Sequence, residues 1–144
     1  MKLKQLSLFL ENRPGQLRAP LEALGRARID LLTMTLADTA QFGILRIIVA
    51  DPERAKEVLE NEGMVVRVTE VVPIQVDNRP GGLAAVLAAI EEAGLGVEYM
   101  YDFAARATPD KAAIIFRFED PDRALAVLGA AAVRILTGEE ILDK

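Results

Sequence analysis

The chain has 144 residues, 51% of them apolar, with 17 basic against 22 acidic residues for a formal net charge of -5, and it has neither cysteine nor histidine. That composition supplies a core for one ordinary domain or two small ones, and it removes disulfides, thiolate nucleophiles, imidazole bases and the usual soft or borderline metal sites. The acidic balance opposes a phosphate backbone, and the longest apolar run, Leu83 to Ile90, is far short of the roughly 20 residues of a membrane span. A soluble cytoplasmic protein with no metal, cofactor, nucleic acid or membrane as partner is expected.

Along the chain, Leu3 to Leu10 alternates and predicts a strand. Asn12-Arg13-Pro14-Gly15 follows, and Pro14 or Gly15 opens a helix whose Leu17, Leu21 and Leu24 recur at helical spacing. Pro20 falls inside that helix and predicts a kink or a late start, because proline removes a backbone donor. Ile29 to Leu36 and Gly43 to Val49 read as strands on either side of the turn-like stretch Ala37 to Gln41. Asp51-Pro52-Glu53 starts a second helix with an Asp cap, a first-turn proline and an acid at the positive end of the dipole. Met64 to Val72 closes the unit as a strand.

The order then repeats, as Val72 to Val76, Gly81 to Ala93, Leu95 to Phe103, Ala112 to Phe118, Pro121 to Gly129 and Ala131 to Leu136. Asn78-Arg79-Pro80-Gly81 copies the first motif at an offset of 66 (12 to 78), and Leu17, Leu21 and Leu24 fall on Leu83, Leu87 and Ile90. Asp51 matches Asp120 at an offset of 69, so an insertion of three residues is placed within Ala104 to Lys111. Two units of about 70 residues follow, residues 1–70 and 71–144. Each βαββαβ order predicts an α+β, ferredoxin-like unit, a four-stranded antiparallel sheet with two helices on one face.

Strand alternation puts Tyr99 and Tyr101, aligned with Thr33 and Thr35, in the core under the helices, with a ligand-lining role as the alternative. It puts Leu32, Met34 and Leu36, with Ile44 and Ile48, on the uncovered face, where they predict packing against another subunit and a homodimer through open sheet faces or edges.

The duplicated loop has two readings. Proline and glycine make a well-formed strand-to-helix corner, with Asn or Arg as cap. Alternatively, the N–H groups of Gly15, Gln16 and Leu17 at the first loop and of Gly81, Gly82 and Leu83 at the second attract a carboxylate, while Asn12 and Asn78 both donate and accept, which suits a small zwitterion. A βαββαβ unit whose first strand runs into N-x-P-G-x-L resembles the ACT domain, a regulatory module that binds amino acids in enzymes of amino-acid metabolism. "NRPGQL" (Asn12 to Leu17) and "NRPGGL" (Asn78 to Leu83) carry the pattern twice, so nearly the whole chain resembles a free-standing tandem ACT protein.

The resemblance implies a ligand held by this loop (Asn12, Arg13, Pro14, Gly15, Gln16, Leu17; Asn78, Arg79, Pro80, Gly81, Gly82, Leu83) and by the start of the second strand of a neighbouring module. That strand position is Asp30 in the first unit, a partner for an α-ammonium or an exposed strand-edge carboxylate, and Gly96 in the second. Arg13 and Arg79 either attract a carboxylate or face water. Glu91-Glu92 and Glu139-Glu140 read as solvated surface, and Asp51 and Asp120 as caps, which leaves no catalytic constellation. Three functions follow: an amino-acid sensor; a ligand-free regulatory subunit that acts on a separate enzyme of amino-acid metabolism; or RNA binding, disfavoured because Gly43 to Val49 has no aromatic residue and the chain is acidic.

Overall fold

The structure is a computed structural model that describes residues 2–11, 13–38, 42–131 and 133–142. It divides into two units, one of Lys4–Thr69 and one of Glu70–Lys144 with the first three residues. The first is built from β1 (Leu3–Glu11), α1 (Arg18–Arg26), β2 (Leu31–Asp38), β3 (Phe42–Val49), α2 (Pro52–Asn61) and the start of β4 (Val66–Asp77). The second uses the rest of β4, then α3 (Gly82–Glu92), β5 (Val97–Asp102), β6 (Lys111–Phe118), α4 (Pro121–Leu128), β7 (Arg134–Ile135) and α5 (Gly138–Leu142). Strand order is β2-β3-β1-β4 in the first and β5-β6-β4-β7 in the second, the order of a ferredoxin-like unit in both.

Each sheet buries one face under its helices. Leu6, Leu8 and Leu10 of β1 and Leu45, Ile47 and Val49 of β3 meet Leu24 of α1 and Leu59 of α2. Val72, Ile74 and Val76 of β4 and Phe116 and Phe118 of β6 meet Ile90 of α3 and Leu128 of α4. Asp51 and Asp120 cap α2 and α4 as predicted, accepting from the backbone N–H of Arg54 and Arg123 at 3.2 and 3.1 Å.

Helix α1 starts late. It begins at Arg18, which puts Pro20 in the first turn, where an N–H has no intrahelical partner to lose. Helix α3 begins two positions earlier in the repeat register, at Gly82, and carries Val86 where the proline would fall.

The face assignments of the outer strands are overturned. Residues directly opposite in an antiparallel pair share a face. Tyr99 and Tyr101 lie opposite Arg117 and Ile115, whereas Met100 lies opposite the core residue Phe116, so both tyrosines are on the side away from the helices. Met34 and Leu36 lie opposite Ile47 and Leu45 of the core face, while Ile44 and Ile48 lie opposite Ala37 and Thr33 on the other. The expected apolar patch therefore divides between two faces, and its Ile48 is buried. The cause is a bulge at the same place in both repeats, between Leu31 and Thr33 and between Val97 and Tyr99, which shifts the alternation by one residue.

The expected strand Ala131 to Leu136 shrinks to Arg134–Ile135, opposite Gln75 and Ile74. The next rung brings the Leu136 N–H to the carbonyl of Pro73 at 2.9 Å, and Pro73 has no N–H with which to return the bond. The ladder stops there. A strand residue's N–H and C=O point to the same side, so the missing donor faces β7 and leaves the β4–β6 ladder whole. The first repeat has Ser7 at this position. Beyond β7 the chain turns into α5, a helix the sequence reading did not contain; Thr137 caps it, its Oγ1 accepting from the Glu140 N–H at 3.2 Å.

Candidate functional site

Both NRPG copies are strand-to-helix turns in which glycine is required, because Gly15 and Gly81 take φ of 88° and 83°, the left-handed region. The Gln16 N–H donates to the Arg13 carbonyl at 3.3 Å and the Gly82 N–H to the Arg79 carbonyl at 2.9 Å, so neither is free at the helix start as expected. Asn78 does not cap α3. Its backbone N–H donates to Asp110 O at 2.8 Å and its side-chain amide to Thr108 O at 2.9 Å. Asn12 lies outside the described residues.

The arginines do not simply face water. Arg13 pairs with Glu11 at 3.0 Å, and Arg79 with Asp77 at 3.2 Å. Glu11 and Asp77 are repeat equivalents one residue before the motif, so the same arginine–carboxylate pair flanks each turn. Asp77 also accepts from the Lys111 ammonium.

A cleft opens beside each turn. The first, of about 240 Å³, is lined by Leu10, Glu11, Arg13, Leu17, Leu36, Asp38 and Gly43. The second, of about 470 Å³, is lined by Val76, Asp77, Asn78, Arg79, Pro80, Leu83, Asp102, Ala112 and Ile114. Six positions correspond in register: Leu10 with Val76, Glu11 with Asp77, Arg13 with Arg79, Leu17 with Leu83, Leu36 with Asp102 and Gly43 with Ala112. Each cleft thus joins a cation, carboxylates and an apolar wall where the first strand ends, the helix begins and the second strand finishes.

The two turns are not identical. A Cβ on Gly82 would lie 1.9 Å from the Asp77 carbonyl oxygen, so the second turn closes against its strand more tightly than any side chain permits. The equivalent residue in the first turn is Gln16. Asp30 precedes β2, its carbonyl accepting from the Ala50 N–H at 3.1 Å, whereas the first cleft takes Leu36 and Asp38 from the other end of that strand. Within one unit the structure does not bring Asp30 to the turn. At Gly96 a Cβ would lie 3.2 Å from a Glu119 carboxylate oxygen. Sequence reasoning missed Glu11, Asp77, Leu36 and Asp102. The repeat register held a signal for the first two, since both are acidic at one offset.

Hydrogen bonding from Lys111, and then from Arg79, holds the Asp77 carboxyl below its ordinary range. A depressed carboxylate stabilises the fold above its unfolded-state value, and that contribution is lost as pH falls through the lower folded value. Asp77→Asn is therefore expected to flatten the fall of stability with acid below about pH 4, read from urea midpoints at successive pH values. A slope equal to that of the parent chain would remove Asp77 from the acid response.

No curated protein matches the chain. Among solved structures, a Bacteroides thetaiotaomicron protein is similar at 38% identity with a TM-score of 0.91, over 100% of this chain and 98% of that one. The regulatory subunits of aspartate kinase from Thermus thermophilus and Thermus flavus are similar in fold, at 15% and 16% identity with TM-scores of 0.63 and 0.61. These alignments cover 90% of this chain and 92% of the T. thermophilus subunit, and 88% and 90% for the T. flavus one. The family model of the ACT domain pair matches residues 1–143. Duplicated βαββαβ units, each with its N-R-P-G turn between first strand and first helix, agree with that match, and the chain belongs to the ACT domain pair family.

Proposed function

We infer that the protein is a non-catalytic regulatory protein that binds a free amino acid in the clefts beside its N-R-P-G turns. The observation that carries this reading is the repetition of one constellation, an arginine paired with a carboxylate against an apolar wall, at equivalent places in both units. A zwitterion can exchange each internal ion pair for two, its carboxylate going to Arg13 or Arg79 and its ammonium to Glu11 or Asp77. The internal pairs are solvent-exposed and therefore cost little to open. Leu10 and Leu17, or Val76 and Leu83, receive the ligand's side chain. The volumes lie at or below the lower part of the roughly 300–1,000 Å³ range of drug-sized sites, a scale that suits a small metabolite. Binding then biases a conformational or assembly equilibrium by the ligand's differential affinity for the two states.

The test is a thermal-shift series with each of the twenty amino acids. A ligand at one hundred times its dissociation constant is expected to add about 2.7 kcal/mol, or several degrees for a chain of this size. Arg13→Ala, Asn12→Ala, Arg79→Ala and Asn78→Ala assign the shift to a cleft. Absence of any change in melting or assembly across all twenty would overturn the reading. The chain would then act as a ligand-free subunit on a separate enzyme of amino-acid metabolism or on a second copy, for which the exposed Phe9, Met34, Leu36 and Phe42 provide apolar surface.

A further inference from the structure

The connection between β5 and β6, residues 103–110, spans the place where the repeat offset changes from 66 to 69, and it bonds at both ends, to the second N-R-P-G turn and to α5. At one end Thr108 and Asp110 accept from the side chain and backbone of Asn78, in the N-R-P-G turn. At the other end Arg106, in a single 3-10 turn, donates from Nε and Nη2 to the Ile141 carbonyl at 2.9 and 2.7 Å, on the last turn of α5. The Arg106 guanidinium also stands over the Phe103 ring, 5.6 Å from its centroid. Phe103 and Ile141 are both fully buried. With five residues, α5 is too short to persist on its own and depends on such anchors.

We propose that this connection transmits the state of the second cleft to α5: a ligand that engages Asn78 withdraws it from Thr108, slackens the turn that carries Arg106, and releases α5 with its buried Ile141. The trigger rests on the amino-acid reading above; the mechanical link from Asn78 to α5 does not. Release would expose an apolar side chain only when the cleft is filled, which makes α5 the output of that cleft.

Hydrogen exchange of the full chain, followed by mass spectrometry, tests the link. Asn78→Asp removes the donor to Thr108, and amides of Thr137–Leu142 are expected to exchange about fivefold faster, the effect of losing one ordinary hydrogen bond. Arg106→Ala is expected to accelerate them roughly tenfold, since its bonds are charge-assisted. The double variant should match Arg106→Ala alone, because both changes act through one connection. Unchanged exchange in Ile114–Phe118 of β6, in the core of the same unit, shows that the variants fold, and Arg106→Lys, which keeps the charge and loses the fork, repeats the test without deleting the side chain. Faster exchange in residues 103–111 of Asn78→Asp with α5 as slow as in the parent would overturn the proposal. With a millimolar mixture of the twenty amino acids, protection at Arg79–Leu83 accompanied by faster exchange in α5 supports it. The same protection with α5 unchanged overturns it and leaves the amino-acid reading standing. Should the mixture protect neither turn, the amino-acid reading falls and the variants alone decide the link.

Discussion

Gly82→Ala is expected to lower the melting temperature by roughly 10 °C, which corresponds to about 3 kcal/mol. The new methyl carbon would lie 1.9 Å from the Asp77 carbonyl oxygen and 2.9 Å from its carbonyl carbon. These are backbone atoms, held in β4 by pairing with Lys111, so no side-chain rotation relieves the contact. The turn must separate from the strand, and Asn78 and Asp77 move with it. Gln16→Ala, the equivalent change in the first repeat, is expected to stay within about 0.5 kcal/mol, as for an ordinary partly exposed position. Differential scanning calorimetry of the two variants is the measurement. Equal, small effects would mean that the two turns are interchangeable in shape.

Phe116→Ala is expected to cost about 4 kcal/mol, the range for a fully buried aromatic. Phe116 is 0% exposed in the centre of β6, stacked on Phe118 with ring centroids 5.6 Å apart. Truncation removes the apolar burial, the stacking and the support of Val72 opposite it on β4. Its repeat equivalent is Ile47, also fully buried, so Phe116→Ile substitutes a residue that the same topology already accommodates. That replacement is expected to recover more than half of the loss. Urea unfolding with an unchanged slope checks both values. A Phe116→Ile variant no better than Phe116→Ala would show that the second core requires the ring itself.

These contrasts depend on the repeat, and the repeat was legible in the sequence. The offsets of 66 and 69 carried the repeated βαββαβ order and the aspartate caps without any packing information, because turn and cap chemistry is local. Pro20 likewise delayed α1 for a reason contained in one residue. The faces of β2 and β5 were not legible. Period-two alternation assumes an unbroken pleat, and the bulges at Leu31–Thr33 and Val97–Tyr99 break it with no glycine or proline to mark them. Helix α5 escaped because five residues carry no helical period; only Thr137 three residues before Glu140, the spacing of a capping box, marked it. The clefts were half legible. N-R-P-G pointed to the turn, but Leu36 and Asp102 reach it through sheet pairing, which the register of one strand cannot reveal.

Pro73, which ends the β7 ladder, also bears on the chain before it folds. Val71 to Val76 is an uncharged β-forming stretch of the second unit, and β7, its partner on the edge that Pro73 faces, is synthesised roughly sixty residues later. Through that interval the nascent segment has apolar side chains and no charge, the profile of an aggregation-prone strand. The pyrrolidine ring at its third position removes a donor from the edge that waits for β7, so the residue that shortens the final strand also disfavours intermolecular pairing along that edge during biosynthesis.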